Sequence, residues 1–590
     1  MRPVASSIAS LSDLLALRAV EQGANRAYTF LESGEQEVDR ITWLELDRRS
    51  RLLASAIRDR VEPGARVLLL FPPGLDFVSA LFGAFRARTI AVPAYPPSGT
   101  RTDRVAARLR GMVADAGVEL VLTTTTVSAK ADALSVLVPE LLSPAWLNVD
   151  DVDLSAPAPV VEDVARADDI AFLQYTSGST SAPRGVMVTH ANLLHNLAHS
   201  ARLGLHDARS ISVSWLPVNH DMGLIQGVLQ PVFSGFPAWL MSPVAFLQRP
   251  ARWLQALSTL RATHSGGPNF AYDLCVRRVS DLDRAALDLT AWRVAFSGSE
   301  PVRQSTIDAF GRTFMSSGFR RGAFRPAYGL AESTLLVTST APNEEPRTLT
   351  LDRAALRQGR VVRATQDSAA IAAIVGCGSA EATTRIEIVD PATGLPSRHS
   401  EVGEIWIAGE SVARGYWRRP DETRGSFRAY LADTFEGPFL RTGDLGFLQD
   451  GELFVTGRLK DVMIVRGLKH DPHDVELTVE AAAPALRPGA VAAFTLDVET
   501  EAVAVAAEVE TLEADARVQS ALVESIRAAV AAAHGIQLST IVLLAPGALP
   551  KTTSGKIQRY ACREGVRSGS LPTIARWDVS GAAWPLERTA

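Results

Sequence analysis

The sequence predicts an α/β protein with two domains, a large first domain of doubly wound parallel sheets and a smaller α+β domain that follows it. The chain has 590 residues, which is too long for one hydrophobic core. The apolar segment 67–71 predicts a buried strand, residues 76–86 a helix and residues 89–95 a second strand. This strand–helix–strand spacing indicates a parallel sheet. From about Glu452 the segments become short and β-rich, and an Ala-rich helix follows.

The domain boundary is predicted near Lys460, which divides the chain into residues 1–459 and 460–590. Within the first part, Thr42 and Glu45 have the spacing of a capping box at the start of a helix. Residues 222–248 carry no charge over 27 positions, so a membrane span has to be considered. Prolines and glutamines interrupt that segment, and we therefore predict that it is buried, either as plain core or as the wall of an apolar pocket.

The composition excludes several classes of function. A net charge of −5 and a pI near 6.1 do not suit a nucleic-acid-binding protein. Cys275, Cys377 and Cys562 are odd in number and far apart, which excludes a disulfide framework or a zinc knuckle and suits the reducing cytoplasm. The first 20 residues have no uninterrupted apolar core, so we expect no signal peptide.

Lysine is rare in this chain, and its positions are informative. Of 60 basic residues, 55 are Arg and five are Lys, and four of those five lie in the last 131 residues. Lys presents a compact charge on a thin stem, whereas Arg presents a wide planar fork. A Lys in such an Arg-rich protein therefore favours a functional role, with chance placement as the alternative.

A run of small and hydroxylated residues is the strongest local signal. It consists of Thr176, Ser177, Gly178, Ser179 and Thr180. Such residues allow backbone N–H groups and hydroxyls to converge on a phosphate. The sequence contains no G-x-x-x-x-G-K-[ST] segment, so this is not a Walker A loop. A flexible linker is the alternative, but the strand-like and helix-like pattern after Arg184 favours a structured loop.

Four other segments carry weaker signals. In YGLAES, Glu332 offers a carboxylate to Mg²⁺ or is a helix-start acid. FSGSEP (296–301) predicts a strand and a tight turn that suits a nucleotide base. RTGDLG places Asp444 on a turn, where it accepts ribose hydroxyl protons or forms an Asx turn. LPKTTSGKIQR carries Lys551 and Lys556 on a second glycine-containing loop, which is either a solvated basic loop or a functional loop that needs domain closure.

The order of these five segments resembles the adenylate-forming superfamily of acyl-CoA synthetases, nonribosomal peptide adenylation domains and luciferases. Within it, the chain is most similar to the fatty acyl-AMP ligases. The blocks that carry this similarity are residues 72–97, 215–237, 240–255, 266–278 and 375–378. The resemblance covers nearly the whole chain. It implies a first domain of doubly wound sheets with a small β subdomain, followed by a small mobile α+β domain.

The resemblance also implies how ATP is bound. Thr176 to Thr180 cradle the phosphates, and Glu332 is a catalytic residue that holds Mg²⁺. Asp444 binds the ribose together with Arg458. The residues expected around the adenine are Gly298, Ser299, Glu300, Tyr328, Gly329, Leu330 and Ala331.

For the chemistry, the resemblance implies that Lys556 bridges the fatty carboxylate and the α-phosphate. His220 borders the acyl carboxylate, with a buried structural histidine as the alternative. Asp461 belongs to the hinge about which the small domain rotates. The residues expected in the acyl pocket are Met222, Gly223 and Ile225.

The implied reaction uses ATP and Mg²⁺ to convert a fatty acid into fatty acyl-AMP and pyrophosphate. The acyl group then passes to the phosphopantetheine thiol of a holo-acyl carrier protein of a polyketide or lipid pathway. An insertion at about residues 341–375, which fatty acyl-AMP ligases carry at this place, favours a carrier protein over coenzyme A. A long-chain fatty acyl-CoA ligase is one alternative, because Lys469 and Asp471 depart from the usual pattern after the hinge. A non-catalytic acyl or nucleotide sensor is another.

Overall fold

The computed structural model describes residues 8–97, 102–159, 165–176, 183–368, 370–510, 516–552 and 555–579. Its strands, numbered in chain order, are β1 (Arg26–Leu31), β2 (Glu37–Thr42), β3 (Arg66–Leu70), β4 (Ile90–Ala94), β5 (Leu120–Thr123), β6 (Ala145–Asn148), β7 (Ile170–Thr176), β8 (Arg184–Thr189), β9 (Ser212–Ser214), β10 (Ala238–Met241), β11 (His264–Gly267), β12 (Val294–Ser297), β13 (Phe324–Gly329), β14 (Leu336–Ser339), β15 (Thr348–Asp352), β16 (Ile371–Val375), β17 (Thr384–Val389), β18 (Gly403–Gly409), β19 (Leu440–Gln449), β20 (Glu452–Arg458), β21 (Met463–Val465), β22 (Leu468–His470), β23 (Leu486–Asp497), β24 (Ala502–Val509), β25 (Leu538–Leu544) and β26 (Thr573–Asp578).

The α-helices are α1 (Leu11–Gln22), α2 (Trp43–Arg58), α3 (Leu75–Arg86), α4 (Thr102–Ala116), α5 (Thr125–Ser128), α6 (Ala131–Leu137), α7 (His190–Leu203), α8 (Gln230–Ser234), α9 (Pro243–Gln248), α10 (Ala251–Thr259), α11 (Asn269–Arg278), α12 (Asp281–Ala285), α13 (Gln304–Phe314), α14 (Arg353–Arg357), α15 (Pro420–Phe427), α16 (Pro472–Ala482), α17 (Ala516–His534) and α18 (Arg559–Ser568). None of the helices within the described residues is long and apolar enough to cross a membrane.

Two mainly parallel sheets occupy the first part of the chain. One has the strand order β14-β13-β12-β11-β9-β10-β1-β2 and is antiparallel only at its edge pairs β1–β2 and β13–β14. The other has the order β6-β5-β3-β4-β7-β8 and is antiparallel only at β7–β8. The predicted strand–helix–strand unit is β3–α3–β4, and β3 pairs with β4 in parallel. The prediction of an α/β fold is confirmed.

A smaller antiparallel sheet, β17-β18-β19-β20, follows these two sheets. The predicted insertion folds as the β15–β16 hairpin with α14 between its strands. Leu349 and Leu351 of the hairpin pack against Phe447 and Phe454 of the small sheet. The insertion therefore has its own apolar contact with the protein rather than lying on the surface as a loose loop.

The last part of the chain contains the sheet β23-β24-β25-β26, which is covered on both faces. Val491 and Ala493 of β23 point into a core with α16 and α17, whereas Ala490 and Ala492 point into a second core with α18. This alternation is what a strand covered on both faces requires. A small α+β unit is thus present, and the exact boundary at residues 459 and 460 stays a prediction.

Two local predictions can be compared with the structure. Most of segment 222–248 is buried, and it contains a π-helical turn over Gly223–Leu229. The predicted capping box is only half formed. The Thr42 hydroxyl accepts a hydrogen bond from the Glu45 N–H at 3.2 Å, but the Glu45 carboxylate pairs with Arg49 at 2.6 Å. The Glu45 carboxylate thus forms an (i, i+4) ion pair in place of the reciprocal bond of a capping box.

Candidate active site

A cavity of about 1390 Å³ lies where the parallel sheets, the small sheet and the C-terminal unit meet. Predicted site residues from separate segments line it, namely Thr176, His220, Met222, Gly298, Ser299, Glu300, Tyr328, Gly329, Leu330, Ala331, Glu332, Asp444, Arg458, Asp461 and Lys556. Ser177, Gly178, Ser179 and Thr180 lie outside the described residues. Ile225 is packed in the main core, and Gly223 makes a tight turn in which a Cβ atom would lie 2.1 Å from the Pro217 carbonyl oxygen.

The turn after β12 forms one wall of the cavity. Ser299 has φ +73°, and a Cβ atom at Gly298 would lie 2.8 Å from the Ala327 carbonyl oxygen. The Glu300 carboxylate accepts a hydrogen bond from the Phe270 N–H at 2.6 Å. This bond ties the turn to the start of α11. The strand and tight turn predicted for FSGSEP are present.

In another part of the cavity lining, two side chains hold Asp444 in place. Its Oδ2 atom accepts a hydrogen bond from the Tyr328 hydroxyl at 2.8 Å, and its Oδ1 atom accepts one from the Arg458 Nε at 2.9 Å. Asp444 faces Arg458 across the β19–β20 pair, so the turn predicted at Asp444 is wrong: the residue lies within a strand, directly after Gly443 at φ +70°. The nearby Asp444 carboxylate raises the pKa of Arg458 and fixes its positive charge. We name Tyr328, Asp444 and Arg458 the sheet wall.

Glu332 lies in a 3-10 turn over Ala331–Ser333, and its Oε1 atom accepts a hydrogen bond from the Tyr416 hydroxyl at 2.9 Å. The Arg184 guanidinium lies 5.3 Å above the Tyr416 ring and pairs with Glu422 at 2.7 Å. The described residues contain no cluster of three or more His, Cys, Asp or Glu side chains that would form a metal cage. A single carboxylate fits Mg²⁺ that is held mainly by substrate phosphates and water.

Lys556 reaches the cavity on a tight loop of the C-terminal unit. We name residues 549–552 and 555–558 the lysine loop. Its shape is fixed by hydrogen bonds from the Thr552 N–H to the Lys556 carbonyl at 2.7 Å and from the Lys556 N–H to the Thr552 hydroxyl at 3.0 Å. Lys551 anchors the loop through a bond from its Nζ atom to the Gly489 carbonyl at 2.6 Å.

The Lys556 ammonium enters a strongly charged environment. Burial lowers its pKa, and the Asp221 carboxylate opposes that shift. Burial alone would raise the pKa of Asp221, but His220 and Lys556 outweigh it and lower that pKa to about 2. The His220 Nδ1 atom lies 2.6 Å from the Asp221 Oδ1 atom. The Asp221 carboxylate therefore pairs with His220 and also acts electrostatically on Lys556, at the edge of the apolar segment that begins at Met222.

Asp461, the predicted hinge residue, is bound to the C-terminal unit. It accepts a hydrogen bond from the Arg559 Nη1 atom at 3.1 Å, and Arg559 also makes two bonds of 2.7 Å to Glu476. The Asp471 carboxylate packs against Gly457. Its Oδ2 atom lies 2.3 Å from the position that a Cβ atom would have at Gly457. Burial raises the pKa of Asp471 to about 6.

Sequence reasoning missed four of these residues. Asp221 had a signal, because it directly follows His220. Phe270 and Arg559 lie in the quoted segments 266–278 and 549–559, but their partners are distant in the sequence and had no local signal. Tyr416 lies outside every quoted segment.

Comparisons with known proteins identify the family of the chain. Residues 16–417 match the AMP-binding enzyme family, and residues 460–576 match the AMP domain of Disco-interacting protein 2-like proteins. The chain is 44% identical to the medium-chain-fatty-acid–[acyl-carrier-protein] ligase JamA of Moorena producens, over 97% of this chain and 96% of JamA. It is 38% identical to FadD21 of Mycobacterium tuberculosis, whose name calls it a fatty-acid–CoA ligase, over 95% and 98% of the two chains.

A solved structure is similar over the whole length. It is the fatty acyl-adenylate ligase of Legionella pneumophila in complex with acyl adenylate and pyrophosphate, with a TM-score of 0.73 and 38% identity. The match covers 98% of this chain and 99% of that one.

Proposed function

The chain belongs to the AMP-binding enzyme family and, within it, to the fatty acyl-AMP ligases, and on that premise we propose that it joins a fatty acid to AMP and passes the acyl group to an acyl carrier protein. The first step consumes ATP and releases pyrophosphate. The second step forms a thioester with the phosphopantetheine thiol of the carrier protein. The observation that carries the proposal is that Lys556 lines the same cavity as Glu332 and Asp444, although more than 100 residues separate it from each.

The chemistry follows from the charges. A fatty carboxylate and an α-phosphate repel each other, and negative charge grows on the phosphate oxygens as the new bond forms. The Lys556 ammonium is a positive charge that can contact both groups; burial lowers its pKa, and the Asp221 carboxylate opposes that shift. A preorganised cation in a partly buried site stabilises that developing charge far more than it would in water.

We propose that the remaining residues bind the nucleotide as the resemblance implies. Asp444 accepts the ribose hydroxyl protons, and the segments at Gly298 and Tyr328 enclose the adenine. Thr176 begins the loop that binds the phosphates. Glu332 would hold Mg²⁺, which neutralises phosphate charge when bound. Support comes from the shared cavity and from the hydrogen bond that orients Glu332.

The acyl pocket is proposed at Met222, which lines the cavity next to His220. Asp461 is proposed as the hinge for the second step, supported by its position between the small sheet and Arg559. We further propose a cytoplasmic location and a role in lipid or polyketide synthesis. The location rests on the ATP requirement and on the buried position of Cys275, Cys377 and Cys562.

An experiment has to decide whether the acyl acceptor is a carrier protein or coenzyme A, because the name of the relative FadD21 favours coenzyme A. The test incubates the enzyme with ATP, Mg²⁺ and laurate, and offers either coenzyme A or a holo-acyl carrier protein. Mass spectrometry then identifies the products. Without an acceptor, we expect acyl-AMP as the product. With the holo-acyl carrier protein, we expect the acylated carrier protein. Rapid formation of lauroyl-CoA would support the acyl-CoA ligase, and absence of acyl-AMP at every chain length would support the sensor.

A further inference from the structure

One contact joins the lysine loop directly to the first domain. Gly555, which precedes Lys556, faces the ring of Phe270 at the start of α11. A Cβ atom at Gly555 would lie 3.1 Å from the Cε1 atom and 3.3 Å from the Cζ atom of that ring. A side chain at residue 555 would therefore press on the aromatic ring, which would have to shift by a few tenths of an ångström. Gly555 also has φ +86°, which an L side chain adopts only with strain.

Phe270 is fixed from its own side by two contacts. Its N–H donates to the Glu300 carboxylate at 2.6 Å, in the turn proposed to enclose the adenine. Its ring makes an edge-to-face contact with Trp215 at 6.2 Å between centroids and 80° between planes. Trp215 in turn stacks on Phe246 at 4.0 Å. Phe270 thus presents a rigid aromatic surface to the loop.

The lysine loop needs such a surface. Its internal hydrogen bonds fix its shape, but they do not fix where the loop lies relative to the first domain. Across the part of the chain that the structure describes, the Lys556 ammonium makes no hydrogen bond of its own. The position of the amine is therefore set by how the loop packs.

We propose that Phe270 is a positioning residue for the first step: its ring seats Gly555 and thereby places the Lys556 ammonium in the cavity. This inference rests on the proposed function, because it assigns Phe270 to the adenylation step. Displacement of a catalytic group by about 1 Å can cost 10²-fold in rate. Loss of the ring is expected to lower the rate of acyl-AMP formation while ATP still binds.

A double-mutant cycle tests the contact. The variants are Phe270→Leu, Gly555→Ala and the pair, and the rate measured is ATP–pyrophosphate exchange with laurate at saturating ATP. Phe270→Leu is expected to lower the rate about 10-fold or more, with little change in the KM for ATP. Gly555→Ala is expected to cost at least threefold less in the Phe270→Leu background, because the smaller side chain relieves the clash. The backbone strain at residue 555 is the same in both backgrounds and cancels in the cycle.

Phe319→Leu is the matched control. It belongs to the same apolar cluster, but its ring contacts are with Trp292, Phe310 and Phe324 rather than with Trp215 or Phe270. Its effect should simply add to that of Gly555→Ala. Additive effects in the Phe270 cycle, or equal coupling in both cycles, would overturn the proposal.

A second measurement does not depend on turnover. An amine-reactive reagent labels the lysines, and peptide mass spectrometry follows Lys556 relative to the exposed Lys469. Phe270→Leu should speed labelling of Lys556 at least fivefold, whereas Phe319→Leu should leave it unchanged. Unchanged labelling in Phe270→Leu would contradict the seating role. A wild type without exchange would contradict the proposed function, and labelling would still decide the seating.

Discussion

The sheet wall and the lysine loop line the same cavity, yet they are built differently. Asp444 is fixed by Tyr328 and Arg458 within a paired strand. The Lys556 ammonium, in contrast, makes no hydrogen bond among the described residues and is carried by a hairpin-like loop. We infer that the nucleotide-binding wall is formed before substrate arrives, whereas the reactive cation is delivered by docking of a loop.

The sheet wall and the lysine loop also differ in how well their charges are balanced by neighbouring groups. Asp444 raises the pKa of Arg458, so the two opposite charges compensate each other within the sheet wall. Burial lowers the pKa of Lys556, so its charge carries a cost that the neighbouring carboxylates only partly offset. Substrate anions would remove that cost. Under the proposed function, nucleotide binding and the chemical step therefore fall to separate parts of this cavity, and substitutions should separate them.

The largest effect is expected for Lys556→Ala. Loss of the cation should lower the rate of ATP–pyrophosphate exchange by about 10²–10³-fold or more. The affinity for ATP, measured by calorimetry, should change little because the sheet wall is intact. The control is Lys469→Ala, which removes an exposed lysine of the same unit. If Lys556→Ala weakened ATP binding and left exchange intact, the division of roles would be wrong.

Asp444→Asn should have the next largest effect, and it should act on binding. The amide loses the charge-assisted bond to Arg458 and leaves that cation unpaired. The KM for ATP should rise about 10–100-fold, which corresponds to ~1.5–3 kcal/mol for a hydrogen bond to a charged group. Asp450→Asn serves as the control, because this exposed residue follows the same strand. A fall in kcat alone would argue against a ribose-binding role.

Tyr416→Phe should have a smaller effect. It removes only the hydroxyl that donates to Glu332 and keeps the ring against Phe427. The Mg²⁺ concentration for half-maximal exchange should rise about 2–10-fold, as for the loss of one hydrogen bond. Direct titration with Mn²⁺ in the presence of ATP provides a second readout. Tyr28→Phe, in the core of the first domain, should leave the metal dependence unchanged.

Asp471→Asn should have the smallest effect on activity, because it changes only the stability of the fold. The pKa of Asp471 is about 6 in the folded protein against an ordinary 3.8, so the folded state holds this proton more tightly. Ionisation of Asp471 therefore destabilises the folded protein. This penalty is absent below about pH 4 and fully present above about pH 6. Asn keeps the cap that Asp471 gives to the His473 N–H.

The expected gain in the free energy of unfolding is at most about 3 kcal/mol at pH 8, disappearing towards pH 4. Urea unfolding of the two proteins at both pH values measures it. A gain that is equal at the two values would show that Asp471 does not titrate as described.

Much of the fold follows from patterns that are local in the sequence. The β3–α3–β4 unit is encoded by apolar periodicity and by the prolines after residue 71, so its elements appear where expected. The order of the motifs likewise predicted which segments line the cavity. The turn expected at Asp444 was wrong because the strand is set by pairing with β20, and pairing depends on residues outside the motif.

What the sequence could not show are contacts between distant segments. Phe270 and Gly555 are 285 positions apart, and Tyr416 lies 84 positions from Glu332. Neither contact has a local pattern, because each depends on how separate sheets and loops meet. Gly223 and Ile225 show the same limit, since apolar character alone does not distinguish a pocket wall from packed core.

The most direct test measures both steps on the Lys556→Ala protein. Acyl-AMP formation is followed from ATP and laurate, and acyl transfer to a holo-carrier protein is followed from supplied lauroyl-AMP. We predict that the first rate falls by about 10²-fold or more and that the second stays within about threefold of the wild type. Equal loss of both rates, or an unchanged first rate, would contradict the account of a lysine that is delivered for adenylation alone.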